Sequence, residues 1–438
     1  MSLRRACGLR VTCRMEFSMR EFQCDICIIG AGASGMTAAI QAKRANRQAE
    51  VLVLEKNEIP GRKIRATGNG RCNLTNTKAR EYLKTLRFFS DIGLAIREYP
   101  NGLVYPYSES AADVADLLAS RMEDLGVKLL TSTEVTSVRI SEEDRDGDAP
   151  VTATSRTKIV DAVSKDLGNI QVSADELIIS AGGKAGPAFG TKGDGAKLAA
   201  SLGHNIIRQV PVLTAIEVVE DDIDQLSGIR ARGSVILYKK GRRVFEEPGE
   251  IQFTRTGLSG ICVFNMTRHM LFGEGESMSD FGIGINLCSD FDIDDYIEAV
   301  AFHSKDLDSG QKAVDMLRSL LKPNLARYVI GRSGVDPDKK ISSLSKAERN
   351  AIIAAVTDLR FKPKKLKGWK DAQCTAGGVD RFQVDDETCQ SLIVPGVYFT
   401  GEVLDYDGPC GGYNLNFAWL TGMAAGESAG RAVMRSEE

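Results

Sequence analysis

The clearest pattern of apolar and polar positions lies near the start of the chain, between residues 25 and 55. Residues 25–29 are a short apolar run, which is long enough for one buried strand. After a glycine-rich turn, residues 36–45 are rich in alanine and mostly apolar, as in a helix packed on a sheet. Residues 51–54 are a second apolar run of strand length. The pattern predicts a strand–helix–strand unit with both strands buried.

The turn between the first strand and the helix has the spacing G-x-G-x-x-G. Gly30 permits a tight turn, Gly32 lets the backbone approach a pyrophosphate, and Gly35 lets the helix pack closely on the strand. The free N–H groups and the positive end of the helix dipole then favour a diphosphate. Glu55 lies 20 residues after Gly35, where a carboxylate can accept from both hydroxyls of an adenosine ribose. The sequence therefore predicts a dinucleotide site.

A second glycine-rich stretch, residues 61–76, has the composition of a ligand-binding loop. Its glycines alternate with arginine, lysine, asparagine and threonine. Such a stretch can follow a ligand closely and donate hydrogen bonds from backbone and side chains. A solvated basic loop is the alternative, but it would not explain the density of glycine. We expect this loop to contact the ligand.

The α/β pattern breaks off in the middle third of the chain. Residues 177–180 have a buried strand pattern that leads into Ala181, Gly182 and Gly183. After residue 211, alternating stretches with Gly-Arg and Pro-Gly turns between them predict an antiparallel β unit. Residues 294–347 have a mostly helical pattern with polar breaks. The middle third is therefore typical of an insertion.

The α/β pattern returns close to the C-terminus. Residues 397–400 predict a strand that leads into Gly401 and Glu402. Gly412, Tyr413 and Asn414 then open a long helix of small residues. This second strand-to-helix ligand turn indicates that the end of the chain completes the nucleotide domain. Two halves of one Rossmann-like sheet are therefore expected to flank the insertion.

Composition and charge narrow the class of protein. The chain has 438 residues, which favours two or three domains, and its net charge of -3 gives no sign of a nucleic-acid or membrane surface. No apolar run reaches the roughly 18 residues of a transmembrane helix. Ten scattered cysteines indicate reduced thiols and a cytoplasmic location, and no cluster of metal ligands is present. We expect residues 1–21 to be a disordered leader; a targeting signal and an early start codon are the alternatives.

Several motifs beyond the fingerprint are specific enough to indicate a family. They are GRK at 61–63, TGNGRCNLTN at 67–76, GEIQFT at 249–254, GLSG at 257–260, TAGGV at 375–379, GEVLD at 401–405 and GGYN at 411–414. Together they resemble the BaiN-like (YhiN-like) NAD(P)/FAD-dependent oxidoreductases, which include aminoacetone oxidase-like flavoproteins. The resemblance covers almost everything beyond the leader.

The resemblance implies an α/β fold with non-covalent FAD. A two-part Rossmann-like FAD-binding domain would be interrupted by a β-barrel-like insertion carrying a small helical subdomain. The FAD-binding domain would comprise residues 22–209 and 372–438. The β-barrel-like substrate domain would comprise residues 210–293 and 348–371, and the helical insertion residues 294–347.

The resemblance also implies roles for individual residues. Glu55 would bind the adenosine ribose, Val135 the adenine through its backbone, and Glu402 the ribitol hydroxyls. The helix that begins near Gly412 would direct its N-terminus at the flavin N1–C2=O edge, where negative charge develops on reduction. The expected cofactor-binding residues are Gly30, Gly32, Ala33, Ser34, Gly35, Glu55, Lys56, Arg62, Lys63, Thr67, Gly68, Asn69, Val135, Ala181, Gly182, Gly183, Gly401, Glu402, Gly412, Tyr413, Asn414 and Leu415. The expected catalytic residues beside the ring are Arg71, Cys72, Asn73 and Tyr413.

The expected chemistry is that of a flavin with one working face. Since the chain has a single dinucleotide fingerprint, we expect NAD(P)H or oxygen to act at the same face as a small-molecule substrate. The family's activities are reduction of conjugated double bonds in steroid-like ketones and oxidation of small amino ketones. The sequence does not decide the proton donor among Tyr413, Cys72 and Arg71. Two alternatives remain: a flavin-dependent RNA-modifying enzyme, disfavoured by the acidic balance, and a non-catalytic flavin-binding regulator.

Overall fold

The structure is a computed structural model that describes residues 19–141, 157–270, 275–306 and 310–436. The predicted leader therefore lies, up to residue 18, outside the described residues. In chain order the strands are β1 (Arg20–Ile29), β2 (Val51–Leu54), β3 (Thr75–Asn76), β4 (Ile96–Glu98), β5 (Leu103–Pro106), β6 (Lys128–Leu130), β7 (Thr133–Ile140), β8 (Lys158–Ser164), β9 (Gly168–Ile179), β10 (Ile206–Val212), β11 (Ile216–Val218), β12 (Arg230–Lys239), β13 (Arg242–Phe253), β14 (Gly257–Ser259), β15 (Phe281–Asn286), β16 (Leu359–Phe361), β17 (Pro363–Leu366), β18 (Cys374–Val379) and β19 (Val397–Phe399). The helices are α1 (Ala33–Ala45), α2 (Tyr82–Asp91), α3 (Ala111–Asp124), α4 (Asp194–Ser201), α5 (Ile261–Thr267), α6 (Ile293–Asp306), α7 (Pro323–Arg332), α8 (Lys346–Thr357) and α9 (Tyr413–Ser436).

The first sheet contains the strand that enters the glycine-rich turn. On one side of β1 lie β2 and then β6, and on the other side lies β9, all in parallel. The end of β9 also pairs in parallel with β19, in the register Phe399↔Ile179. Beyond β9, the strands β8 and β7 extend the sheet in antiparallel fashion. The strand near the C-terminus thus completes the sheet that the first strand begins, which confirms the two-part Rossmann-like fold.

Helices α1 and α9 pack against each other on one face of this sheet, where Trp419 of α9 is fully buried. A Cβ at Gly422 would lie 2.3 Å from the Ser34 carbonyl oxygen, and one at Gly426 would lie 2.2 Å from the Ala38 carbonyl oxygen. The small residues of α9 therefore let its backbone touch that of α1. This contact fixes the start of α9 beside the start of α1, where the glycine-rich turn lies.

The second sheet is antiparallel, in the order β16-β15-β12-β13-β14-β11-β17. Its two edge strands, β16 and β17, are separated in sequence by Lys362 alone. Closure of this sheet into a barrel-like form stays a prediction. Helices α6, α7 and α8 follow β15 and precede β16, and their apolar side chains share one core with the sheet. Helix α8 continues this helical segment beyond residue 347. The domain boundaries given above remain predictions.

Two smaller strand groups connect these parts near the turn. β10 and β18 form an antiparallel pair in the register Val212↔Cys374, and they lead out of and back into the first sheet. β3, β5 and β4 form a three-stranded sheet that follows the 61–76 loop. Within the described ranges, none of the helices combines the length and apolar character that a membrane crossing requires.

Candidate active site

The turn from β1 to α1 is built on close backbone approaches. Gly30 has φ of 100°, and a Cβ there would lie 2.6 Å from the Ser180 carbonyl oxygen. A Cβ at Gly35 would lie 1.9 Å from the Gly30 carbonyl oxygen. Packing therefore requires glycine at both positions. At Gly32, by contrast, a Cβ would meet no atom within 4 Å, so the space above this residue is open to a ligand.

The N-terminus of α1 provides hydrogen-bond donors at that open space. Ala33, Ser34 and Gly35 form the first turn of the helix. Among the described residues, no acceptor is found for their three backbone N–H groups. Unpaired N–H groups at a helix N-terminus bind phosphate groups well. The backbone therefore fits the pyrophosphate of a dinucleotide.

Glu55 is buried in the cavity wall next to the turn. Its Oε2 accepts a hydrogen bond from the Ala31 N–H at 2.8 Å. Its Oε1 accepts from the backbone and side-chain N–H groups of Asn57, at 2.8 and 2.6 Å. Because each carboxylate oxygen has two lone pairs, Glu55 fixes the turn and retains acceptor capacity for ribose hydroxyls.

The cavity extends past Glu55 to a loop that sequence reasoning did not assign. Phe189, Gly190 and Thr191 line the cavity there. The side chain of Asn57 donates to the Phe189 carbonyl at 3.3 Å. A Cβ at Gly190, which has φ of 94°, would lie 2.5 Å from the Asn57 amide oxygen. The glycine-rich pattern after residue 190 is the signal that could have identified this wall.

Two charged residues and the start of β7 complete this end of the cavity. Lys56 forms an ion pair with Asp194 at 2.5 Å, and both line the cavity. Val135 lines the same wall. The charges of Lys56 and Asp194 offset each other in this wall.

An ion pair between the two halves of the sequence lies further along the cavity. The Lys63 ammonium donates to the Glu402 carboxylate at 2.5 Å and to the Ala185 carbonyl at 3.2 Å. The other carboxylate oxygen of Glu402 accepts from the Thr375 N–H at 2.8 Å. Both Lys63 and Glu402 line the cavity. The pair therefore forms a polar wall between the turn and the far end of the cavity.

The far end is formed where the 61–76 loop meets the start of α9. Gly68 and Asn69 both have positive φ, 58° and 55°, so the loop doubles back on itself. A Cβ at Gly412 would lie 2.5 Å from the Thr75 carbonyl and 2.9 Å from the Asn73 amide oxygen. Asn73 and Gly412, which are 339 positions apart, are thus brought together.

The other three catalytic candidates, Arg71, Cys72 and Tyr413, differ in how deeply they are buried. The exposed Arg71 guanidinium lies over the Tyr105 ring, 4.8 Å from its centroid, and 3.8 Å from the Glu109 carboxylate. Cys72 is fully buried in the core beside the first sheet, and burial raises the pKa of its thiol to about 12. Tyr413 is half-buried as the first residue of α9.

Several residues that sequence reasoning missed line the far end. They include Gln373, Cys374, Tyr406 and Phe417. The Tyr406 and Phe417 rings are stacked, with centroids 3.8 Å apart and an angle of 16°. Burial raises the pKa of the Tyr406 phenol above its ordinary value. Gln373 and Tyr406 lie on loops, whereas Cys374 begins β18 and Phe417 lies in the second turn of α9.

The predicted cofactor residues divide into those that line the cavity and those behind it. The lining ones are Gly30, Gly32, Ala33, Ser34, Glu55, Lys56, Arg62, Lys63, Thr67, Val135, Ala181, Gly182, Glu402, Asn414 and Leu415. The others, which shape the turns around the cavity, are Gly35, Gly68, Asn69, Gly183, Gly401, Gly412 and Tyr413. No group of three or more potential metal ligands is found among the residues that the structure describes.

The chain is similar to known proteins over most of its length. The family model described as "HI0933-like protein Rossmann domain" matches residues 24–85 and 81–428. A protein of Clostridium scindens named 3-dehydro-bile acid delta(4,6)-reductase is 33% identical over 425 residues, which are 92% of this chain and 98% of that protein. An Escherichia coli protein named ribosomal RNA dihydrouridine synthase is 30% identical over 429 residues, which are 92% and 97% of the two chains.

Among solved structures, similarity is weaker and concerns shape alone. The 3-ketosteroid-delta4-(5alpha)-dehydrogenase of Rhodococcus jostii is 15% identical, with a TM-score of 0.45 and coverage of 93% of this chain and 97% of that one. The sequence comparisons are decisive, because both the family model and the Clostridium relative span nearly the whole chain. The chain belongs to the BaiN-like family of flavin-dependent oxidoreductases, which carry the HI0933-like Rossmann domain.

Proposed function

We propose that this chain reduces a carbon–carbon double bond conjugated to a carbonyl group, in a small or steroid-like molecule, with FAD as cofactor and NAD(P)H as hydride donor. The observation that carries the proposal is the 33% identity, over 92% of the chain, to a protein named as a bile acid reductase. The cavity is consistent with it, since one continuous site joins the phosphate-binding turn to the residues around the start of α9.

The residues of the cavity would hold FAD in an extended form. The open space at Gly32 and the N–H groups of α1 would bind the pyrophosphate, and Glu55 the ribose. Glu402, held by Lys63, would accept from the ribitol hydroxyls. When bound there, FAD would supply the hydride that the reduction requires.

The protein must add a proton and orient the carbonyl. Reduction places a hydride on the β-carbon and a proton on the α-carbon, and it converts NAD(P)H to NAD(P)⁺. Tyr413 is our proposed proton donor, because its half-buried phenol stands at the start of α9, whereas the Cys72 thiol lies in the core. The Arg71 guanidinium is proposed to orient the carbonyl oxygen, and Asn73 to contact the ring.

A single working face is part of this proposal. The sequence contains one dinucleotide fingerprint, and its middle third forms a barrel-like sheet with helices. NAD(P)H and the substrate would then take turns at the same place. Oxygen is the alternative acceptor at that face, in which case the enzyme would act as an oxidase.

A second candidate function is reduction of a uracil ring in RNA. It is favoured by the 30% identity to a protein named ribosomal RNA dihydrouridine synthase. Dihydrouridine is uridine whose ring double bond, conjugated to a carbonyl, has gained two hydrogens. The chemistry would therefore be the same, and only the substrate would differ.

Exposed lysines near β17 are a surface feature that supports this second candidate function. Lys362, Lys364 and Lys370 are exposed, and no ion-pair partner for them is found among the described residues. Trp369 directly precedes Lys370 in sequence, and the Lys184 ammonium lies 5.0 Å from its ring centroid. Lysines next to an aromatic ring can bind single-stranded RNA. Lysines on an edge strand also serve simply to prevent aggregation, so this argument is secondary.

A substrate screen with the reduced enzyme separates these functions. The holoenzyme is reduced with NADPH or NADH without oxygen, and then mixed separately with a steroid 4-en-3-one, a uridine-rich ribosomal RNA fragment or oxygen. An amino ketone is mixed instead with the oxidised holoenzyme, because it would donate electrons to the flavin. We expect the enone to reoxidise the flavin and yield the saturated ketone. Reoxidation by the RNA fragment alone would instead select the second candidate. If neither reoxidises the flavin, the proposed reductase function is wrong.

A further inference from the structure

We propose that Arg268 and Asn265, at the end of α5, are positioning residues that hold the loop of residues 405–412 against the far end of the cavity. This loop, termed here the approach loop, leads from β19 into α9. The proposal goes beyond the function proposed above, because it concerns how the barrel-like sheet is coupled to the cofactor cavity whatever the substrate is.

The first contact is an ion pair between the barrel region and the approach loop. Arg268 Nε donates to the Asp407 carboxylate at 2.6 Å, and its guanidinium also donates to the Asp407 backbone carbonyl. The two side chains are only 20% and 17% exposed. A guanidinium that holds a carboxylate and a carbonyl of one residue fixes the direction as well as the distance.

The second contact is made by a side-chain amide one turn earlier. Asn265 is 6% exposed, and its Oδ1 accepts from the Cys410 N–H at 2.7 Å. Its Nδ2 donates to the Glu247 carboxylate on β13 at 2.7 Å. The contact with Glu247 fixes which end of the amide faces the loop. Asn265 therefore ties the approach loop to the barrel-like sheet itself.

The approach loop is held from the other side by α9. Asn414 accepts from the Gly408 N–H at 2.7 Å and donates to the Gly408 carbonyl at 2.9 Å. A Cβ at Gly408 would lie 2.8 Å from the Tyr413 Cβ, so the loop has no room to move towards the helix. The loop is thus held between α5 and the start of α9.

Movement of the approach loop would change the shape of the cavity, because residues in and next to the loop line the cavity. Tyr406, which precedes the residue held by Arg268, lines the cavity and stacks on Phe417. Asn414, which brackets the loop, lines the cavity as well. Arg268 also acts electrostatically on Tyr406, lowering the pKa of its phenol against the larger effect of burial. Releasing Asp407 should therefore change both the position and the electrostatic surroundings of Tyr406.

The test compares four variants of the full-length holoenzyme: Arg268→Ala, Arg268→Lys, Asp407→Asn and, as a control, Arg327→Ala. Arg327, on α7, forms an ion pair with Asp338, and this pair is about half exposed. The readouts are FAD content, the visible absorption band of bound FAD, hydrogen exchange of the 405–412 amides, and kcat and KM for NAD(P)H-driven enone reduction.

For Arg268→Ala we expect full FAD content, a shifted flavin band, and faster amide exchange confined to residues 405–412. We expect kcat to fall about tenfold, the scale of one lost charge-assisted hydrogen bond, with KM changed less than twofold. Arg268→Lys should recover part of kcat, and Arg327→Ala should match the wild type in every readout. The exchange and absorption readouts need no turnover, so they test the coupling even if the enone is not a substrate.

A flavin band and a loop exchange pattern like those of the wild type in Arg268→Ala would overturn the proposal. So would an equal loss in Arg327→Ala, because the effect would then be general destabilisation. If Arg268→Ala does not fold, Asp407→Asn provides the same comparison, because it removes the charge and keeps the size of the side chain.

Discussion

The Lys63 ammonium donates to the Glu402 carboxylate at 2.5 Å, although 339 positions separate the two residues in sequence. The pair joins the loop that follows the first βαβ unit to the turn that follows the last strand of the sheet. It is partly buried, with side-chain exposures of 32% and 17%. Because the pair lies in the cavity wall, changing either residue tests whether both parts of the FAD-binding domain contribute to cofactor binding.

Lys63→Ala should weaken FAD binding, because the Glu402 carboxylate would lose its partner and turn away from the ribitol. We expect a loss of about 1–3 kcal/mol in binding free energy, the range for hydrogen bonds to charged groups. The measurement is FAD titration of the apoprotein. Lys165→Ala is the control, because Lys165 forms an exposed pair with Glu58 outside the cavity lining, and its affinity for FAD should equal that of the wild type.

Glu55→Ala should reduce FAD affinity for two reasons. The ribose hydroxyls would lose their acceptor, and the glycine-rich turn would lose the side chain that holds it in place. The variant loses the acceptor for the Ala31 N–H and both contacts with Asn57. We expect a loss of about 1–3 kcal/mol in the free energy of FAD binding. The exposed neighbour Glu58 is the matched control. Equal FAD affinity in Glu55→Ala and Glu58→Ala would remove Glu55 from the binding site.

Gly32→Ala should impair cofactor binding, whereas Gly35→Ala should impair the stability of the fold. A methyl group at Gly35 would collide with the Gly30 carbonyl, so the variant should lose stability even without cofactor. At Gly32, φ is -87° and the added atom meets no protein atom, so the apoprotein should melt at the wild-type temperature. That methyl group would occupy the space of the pyrophosphate, and FAD binding should be lost. Wild-type FAD affinity in Gly32→Ala would contradict the placement of the pyrophosphate.

Glu176 should make stability depend on pH in a defined window. Burial raises the pKa of its carboxyl from 4.5 to about 6 in the folded protein, against the opposing effect of Lys158. Folding therefore favours the protonated form, and this contribution is complete below about pH 4.5 and lost as the pH rises through 6. The loss is about 2 kcal/mol for a shift of this size.

The measurement is chemical unfolding of the apoprotein between pH 4 and 8. The difference between wild type and Glu176→Gln should change over this window, because glutamine does not titrate. Glu98→Gln, on the exposed side of β4, is the control and should leave the pH dependence of the wild type intact. A constant difference between wild type and Glu176→Gln would show that the carboxyl is not perturbed.

The sequence predicts the parts of the fold in which close contacts between backbone segments require glycine. The glycines at 30 and 35 are required by contacts with neighbouring backbone, and such requirements leave a fixed spacing in the sequence. The strand at 397–399 and the helix after it follow the same logic. These features indicate a sheet assembled from both ends of the chain, and the fold class is confirmed.

The far end of the cavity could not be predicted in the same way. Gln373 and Tyr406 line it because the segment that leads into β18 meets the loop between β19 and α9 there, and no local pattern encodes that meeting. Cys72 stands in the expected loop, but its φ of 58° accompanies a thiol directed into the core. The roles of Arg71, Asn73 and Tyr413 stay predictions.

The central claim is that one flavin face serves both half-reactions of an enone reductase, and steady-state kinetics test it most directly. Initial rates are measured without oxygen at several fixed concentrations of NAD(P)H while the enone concentration is varied. Exclusive use of one face predicts parallel lines in double-reciprocal plots, together with full reduction of the flavin by NAD(P)H alone. Intersecting lines that require a ternary complex, or a flavin that NAD(P)H reduces only when the enone is present, would contradict the claim.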